Sequence, residues 1–68
     1  MYTYFITFSY VAPSGHTRMG NAIVNTNIRV EDIEDIDEMN LWITNLQDWI
    51  TSQKRELKEI IVVNFKEI

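Results

Sequence analysis

The chain has 68 residues, 46% of them apolar, and contains no cysteine. A chain of this length forms one domain with a small core, so we expect residues 1–68 to fold as a unit without a disulfide or a thiolate metal site. The net charge of −4 opposes non-specific binding to nucleic acid or to an anionic membrane, because both require clustered lysine and arginine.

The first predicted element is a β-strand in residues 2–11. Tyrosine, isoleucine and phenylalanine occupy its even-numbered positions, while threonine and serine recur at the odd ones. This period of two predicts a strand whose even-numbered side chains face the core. Phe5 and Val11 make the other side half apolar, as is typical of a central strand. The segment lacks a basic start and alternates apolar with polar residues, so it resembles neither a signal peptide nor a membrane span. Because the chain contains no cysteine, we expect a cytoplasmic protein.

A turn and a second, weaker strand follow. The turn formers Pro13, Ser14 and Gly15 predict a hairpin, with a returning antiparallel strand from about residue 18 to residue 28. Several asparagines in this strand favour an edge position, and Gly20-Asn21 is expected to accommodate a bulge or a positive φ. The hairpin tip offers three candidate binding residues, although simple exposure also explains them. They are His16, Arg18 and Asn21.

Apolar residues at spacings of three and four predict one amphipathic helix. The stripe begins near Ile33, and the helix is expected to end between Thr51 and Leu57. Trp42 and Trp49 widen the stripe on one flank, where they either complete the core edge or serve as exposed anchors for a partner.

The segment EDIEDIDE at residues 31–38 contains six carboxylates. Acidic side chains near a helix start interact favourably with the helix dipole, so the run is explained as a solvated helix start. Because that effect fades within one turn, a second interpretation stays open, in which a row of negative charge imitates phosphates or meets a basic partner. The residues expected on that side of the helix are Glu31, Glu34, Asp35 and Glu38.

Residues 60–65, IIVVNF, predict the last strand because they are β-branched and apolar on both faces. The order β-β-α-β with a right-handed crossover predicts an α+β fold: a three-stranded antiparallel sheet in spatial order 2-1-3 with one helix on one face. The predicted core comprises Tyr2, Tyr4, Ile6, Phe8, Val24, Ile36, Met39, Ile43, Leu46, Ile50, Ile61, Val63 and Phe65.

A single helix leaves the other face of the sheet uncovered. Apolar residues expected there mark an interface, either with another protein or with a second copy of the chain. The candidate binding residues on this face are Phe5, Ile23, Ile60 and Val62.

Few side chains are suited to catalysis. His16 is the single histidine, and a lone histidine forms neither a zinc site nor a triad. Paired carboxylates would need a cleft, for which a small sheet under one helix has little room. We therefore predict no catalytic residues, no metal, no cofactor and no enzymatic activity.

Four segments resemble small proteins encoded by phages and prophages of Gram-positive bacteria: YFITFSY, the hairpin ending in Gly20-Asn21, Glu31-Asp32-Ile33, and residues 60–65. Small acidic phage proteins include inhibitors of host nucleases and defence systems. The resemblance implies a phage accessory protein that binds a host factor in the host cytoplasm. The alternative is a structural or assembly protein that forms homo-oligomers through the open sheet face.

Overall fold

The computed structural model describes residues 1–68 as a three-stranded sheet with one helix. The first strand pairs with both others in antiparallel fashion, so the spatial order is 2-1-3. The predicted α+β class, strand order and single helix are confirmed. The elements are β1 (Tyr2–Val11), β2 (Thr17–Thr26), a 3-10 turn (Val30–Asp32), α1 (Ile36–Gln53) and β3 (Lys58–Glu67).

The core lies between α1 and the even-numbered side of β1, as the period of two predicts. Tyr4, Ile6 and Phe8 are buried there. Trp42 of α1 meets Tyr4 and Phe65 edge to face, with ring centroids 5.3 Å and 5.0 Å apart, an arrangement that aromatic pairs favour. The buried residues are Tyr4, Ile6, Phe8, Val24, Val30, Trp42, Leu46, Ile50 and Ile60.

The alternation along β3 differs from the prediction. An extra residue on β3, Val63, separates the pairs Thr7–Asn64 and Phe8–Val62, and this bulge places the side chains that precede it in β3 on the face opposite to the predicted one. Ile60 is therefore buried and Val62 packs against the core, while Ile61 and Val63 are exposed. The placement of Ile60 and Val62 on the open face was wrong, as was that of Ile61 and Val63 in the core.

The hairpin has its special backbone position in the turn and not at Gly20-Asn21. Gly15 has φ of +89°, and its N–H donates to the Ala12 carbonyl at 2.8 Å. Gly20 lies in an unbroken β1–β2 register, without a bulge or a positive φ. A Cβ at Gly20 would lie 2.8 Å from Cζ of Phe8, so the glycine makes room for a buried ring.

The helix begins at Ile36, three residues later than its apolar stripe suggested. Asp35 is the N-cap, with Oδ1 accepting a hydrogen bond from the Asp37 N–H at 3.1 Å. Ile36 is 70% exposed, which corrects its predicted place in the core. The helix ends at Gln53, inside the predicted range.

Candidate functional site

The face of the sheet that α1 leaves uncovered, called the open face below, is formed by the odd-numbered side of β1 and its partners. Phe5 lies beside Ile23, and Ser9 lies between Met19 and Ile61. Ile23, Met19 and Ile61 are 64%, 58% and 55% exposed. Phe5 and Ile23 are thus on the predicted side, and the face is apolar although two of its predicted members are absent.

Polar rows alternate with the apolar rows of the open face. The Thr3 hydroxyl donates to Oδ1 of Asn25 at 2.7 Å, and the Thr7 hydroxyl donates to Oδ1 of Asn21 at 3.4 Å. Each of these pairs joins β1 to β2, one on either side of the Phe5–Ile23 row. The amide and hydroxyl groups are therefore held in place before any partner arrives.

Charge is nearly absent from the open face. Among the ladder positions on this side, only Lys58 and Lys66 are ionisable, and both belong to the edge strand β3. Lys66 pairs with Phe5 and Lys58 with Val11. A contact surface of this kind can bury apolar groups without leaving a charge unpaired.

The acidic run does not form the expected row on one side of a helix. Glu31 lies in the 3-10 turn, Glu34 in the connection that follows, Asp35 at the N-cap and Glu38 in the first turn of α1. All four are exposed. Since the run crosses three local structures, the helical spacing used to group these carboxylates does not apply.

The start of the acidic run is anchored to the sheet by Tyr4. The buried Val30 N–H donates to the Tyr4 hydroxyl at 2.8 Å, and that hydroxyl donates to Oε2 of Glu31 at 3.2 Å. Burial raises the pKa of the Tyr4 phenol, and the neighbouring Glu31 carboxylate adds to the effect.

Arg29 adds an ion-paired group to the same corner. Its Nε lies 2.8 Å from Oε1 of Glu67 and 3.2 Å from Oε2 of Glu31. The hydrogen bond to Glu67, followed by the charges of Glu67 and Glu31, raises the pKa of the guanidinium. The negative charge of Glu31 is therefore partly balanced by Arg29, whereas no later acid of the run forms an ion pair.

The three residues proposed at the hairpin tip do not form one cluster. His16 lies in the exposed turn, with Nδ1 3.4 Å from the Ser14 hydroxyl oxygen. Arg18 pairs with Tyr10, on the helix-covered side of the sheet, whereas Asn21 pairs with Thr7 on the open face. Because side chains alternate along a strand, Arg18 and Asn21 point to opposite sides.

A groove of about 520 Å³ runs between β2 and α1, with Trp42 and Trp49 among its lining residues. Trp42 is buried in the core and its Nε1–H has no hydrogen-bond partner, whereas Trp49 is 42% exposed. Trp42 is thus part of the core, and Trp49 is partly exposed on the flank of the helix. No lining residue is ionisable, so the groove suits an apolar group.

Two residues of the open face, Met19 and Ile61, were not among the predicted binding residues. Met19 could have been found, because it shares its odd-numbered side with Ile23 and Asn25. Ile61 carried no such signal, because β3 is apolar on both sides and the bulge beside it leaves no mark in the sequence.

Comparison with known proteins gives no relative for this chain. No protein-family model, no curated protein and no solved structure matches it. No helix is long and apolar enough to cross a membrane. No group of three histidine, aspartate or glutamate side chains is placed to hold a metal ion.

Proposed function

We propose that the chain is a non-enzymatic protein-binding domain whose contact surface is the open face. Three of its apolar side chains, Met19, Ile23 and Ile61, are more than half exposed on one layer. Contiguous exposed apolar groups on a small domain are typical of interaction sites. This uncovered layer is the observation that carries the proposal.

The composition of the open face favours a protein partner over nucleic acid. The centres of protein interfaces are depleted in charge and bounded by polar groups. Here Lys58 and Lys66 lie on one edge strand only, which is too little positive charge for a phosphate backbone. The Thr3–Asn25 hydrogen bond also orders two side chains in advance, which lowers the entropic cost of binding.

The acidic run supplies the second part of the proposed contact. Glu34, Asp35 and Glu38 are exposed, and the ion pairs of the chain involve Arg29 alone. Unpaired carboxylates of this kind attract a basic patch on a partner and speed its encounter with the chain. The proposed partner therefore carries basic residues as well as an apolar patch.

The biological setting is proposed on the resemblance to small phage and prophage proteins. In that setting the chain is a phage-type accessory protein, and its partner is a factor of the host cytoplasm whose activity it modulates. Inhibition by occupying a host protein surface requires no catalytic group on the chain itself.

The test compares affinity purification from Gram-positive host cells with three forms of the tagged chain. The face variant carries Thr7→Arg and Ile61→Arg, and the matched control carries one threonine and one aliphatic change on exposed residues of α1, Thr44→Arg and Leu41→Arg. We expect the wild type and the control to enrich the same protein and the face variant to lose it. Each form is first checked for folding by circular dichroism.

Binding of the purified partner is then measured by calorimetry with all three forms. A partner that binds the face variant as tightly as the wild type would remove the open face from the proposal. Variants Glu34→Gln and Glu38→Gln test the acidic part separately, because a basic partner should bind them more weakly and with a smaller dependence on salt.

A further inference from the structure

The two edges of the sheet are protected very differently. On β3 the register shifts twice, and its ends carry Lys58, Glu59, Lys66 and Glu67. Bulges and charges of this kind stop an edge from pairing with another strand. By contrast, β2 is a regular ten-residue strand without proline, and its single charged residue is Arg18.

A helix side chain also covers part of the β3 edge. Val62 pairs with Phe8, and its N–H donates to Oε1 of Gln47 at 3.0 Å. Gln47 thus satisfies a backbone donor that β1 does not reach. No side chain in the structure accepts a hydrogen bond from a backbone N–H of β2, so that edge stays open.

The free backbone groups of β2 can be assigned from the ladder. The Ala12 N–H donates to the His16 carbonyl at 2.9 Å, and hydrogen-bonded pairs recur at every second residue of an antiparallel ladder. The even-numbered residues of β2 therefore bond to β1. The odd-numbered ones direct their N–H and C=O groups away from β1, and they are Thr17, Met19, Asn21, Ile23 and Asn25.

These five residues are complementary to the same five residues of a second copy of the chain. In an antiparallel pair of two β2 strands with Asn21 on the two-fold axis, Met19 lies opposite Ile23 of the second copy and Thr17 opposite Asn25 of the second copy. Each pair exchanges two backbone hydrogen bonds. Apolar residues meet apolar ones and polar residues meet polar ones, while Arg18 lies opposite the neutral Val24 of the second copy.

We propose that two copies of the chain form a symmetric dimer through β2, with Asn21 on the two-fold axis. The product is one six-stranded sheet with both helices on one side. Pairing through the edge leaves the open face of each copy uncovered, so the dimer presents that face twice. The dimer is thus independent of the partner contact proposed above and differs from two sheets stacked face to face.

The test measures mass in solution by sedimentation equilibrium over a wide range of concentrations. Met19→Lys with Ile23→Lys places like charges opposite each other at both sides of the axis, and we expect the dimer to be lost. Met19→Lys with Ile23→Glu places opposite charges there, and we expect the dimer to be kept. Ile61→Lys, on the same face but on β3, is the matched control and should leave the dimer unchanged.

Three results would overturn the proposal: a wild-type chain that is monomeric at every concentration, a dimer that survives both lysine substitutions, or a dimer lost with Ile61→Lys. Loss of the dimer in the folded Lys–Glu form would also overturn it, because the register would be wrong. Should the lysine variant fail to fold, Asn21→Pro decides the matter. It removes an N–H that β1 does not use, so it should abolish the dimer while the monomer keeps its circular dichroism spectrum.

Discussion

The buried hydrogen bond between Tyr4 and Val30 predicts that removal of one oxygen atom strongly lowers the stability of the fold. The substitution Tyr4→Phe deletes the hydroxyl that accepts the Val30 N–H at 2.8 Å. Val30 is buried, so its N–H would lose its partner without gaining access to water. An unpaired buried donor costs about 1–3 kcal/mol, and the part-buried hydrogen bond from the Tyr4 hydroxyl to Glu31 is lost with it.

We expect Tyr4→Phe to lower the free energy of unfolding by about 2 kcal/mol, which for a domain of this size lowers Tm by about 8–16 °C. Urea unfolding followed by circular dichroism measures the first quantity. The matched controls are Tyr2→Phe and Tyr10→Phe, on the same side of β1, whose hydroxyls make no hydrogen bond in the structure. Each should change stability by less than about 0.5 kcal/mol.

The pH dependence of stability gives a second measurement on Tyr4. Its pKa lies above the ordinary value of 10.0 because the phenol is buried. The folded state therefore favours the neutral phenol, and the contribution to stability is complete below pH 10 and is lost as pH rises through the raised pKa. We expect the wild type to lose more stability than Tyr4→Phe above pH 10. If Tyr2→Phe, Tyr4→Phe and Tyr10→Phe all lowered the free energy of unfolding by the same amount, the proposed role of the Tyr4–Val30 hydrogen bond would be refuted.

Three further predictions concern β3, the hairpin and the start of α1. Ile60→Ala should lower the free energy of unfolding by about 2–5 kcal/mol, whereas Ile61→Ala should lower it by less than about 0.5 kcal/mol. If urea unfolding gave similar losses of free energy for the two variants, the bulged register of β3 would be contradicted. Gly20→Ala should destabilise the chain by about 1–3 kcal/mol through overpacking against Phe8, and a raised Tm would contradict the close approach. Asp35→Ala should lower the free energy of unfolding by about 1 kcal/mol through loss of the N-cap. Asp35→Asn keeps an accepting oxygen, so its stability should be close to that of the wild type. The same Tm for both variants in thermal unfolding would argue against the N-cap.

The candidate site was only partly accessible from the sequence. Phe5 and Ile23 could be assigned to the open face because β1 has a clear alternation and the hairpin sets the register of β2. The acidic run could be located in the sequence, but its backbone conformation could not be predicted, since no residue pattern indicates that residues 30–32 form a separate turn. The anchor between Tyr4 and Val30 joins residues far apart in the chain and needed the coordinates.

The sequence by itself determined the elements and their order. A strand with one buried side and a helix with one buried stripe must repeat their apolar residues at the period of the backbone, so β1 and α1 are visible as patterns. Given these elements, the short connections and the preferred crossover left the order 2-1-3.

Tertiary structure decided what such patterns do not contain. Residues 60–63 are apolar at every position, so their periodicity has no phase, and only the fit of β3 against β1, with its bulges, buries Ile60 and exposes Ile61. The position of α1 over the sheet likewise buried Trp42 and left Trp49 partly exposed. In each case the deciding contact joins distant parts of the chain, and such contacts exist only once the layers are packed together.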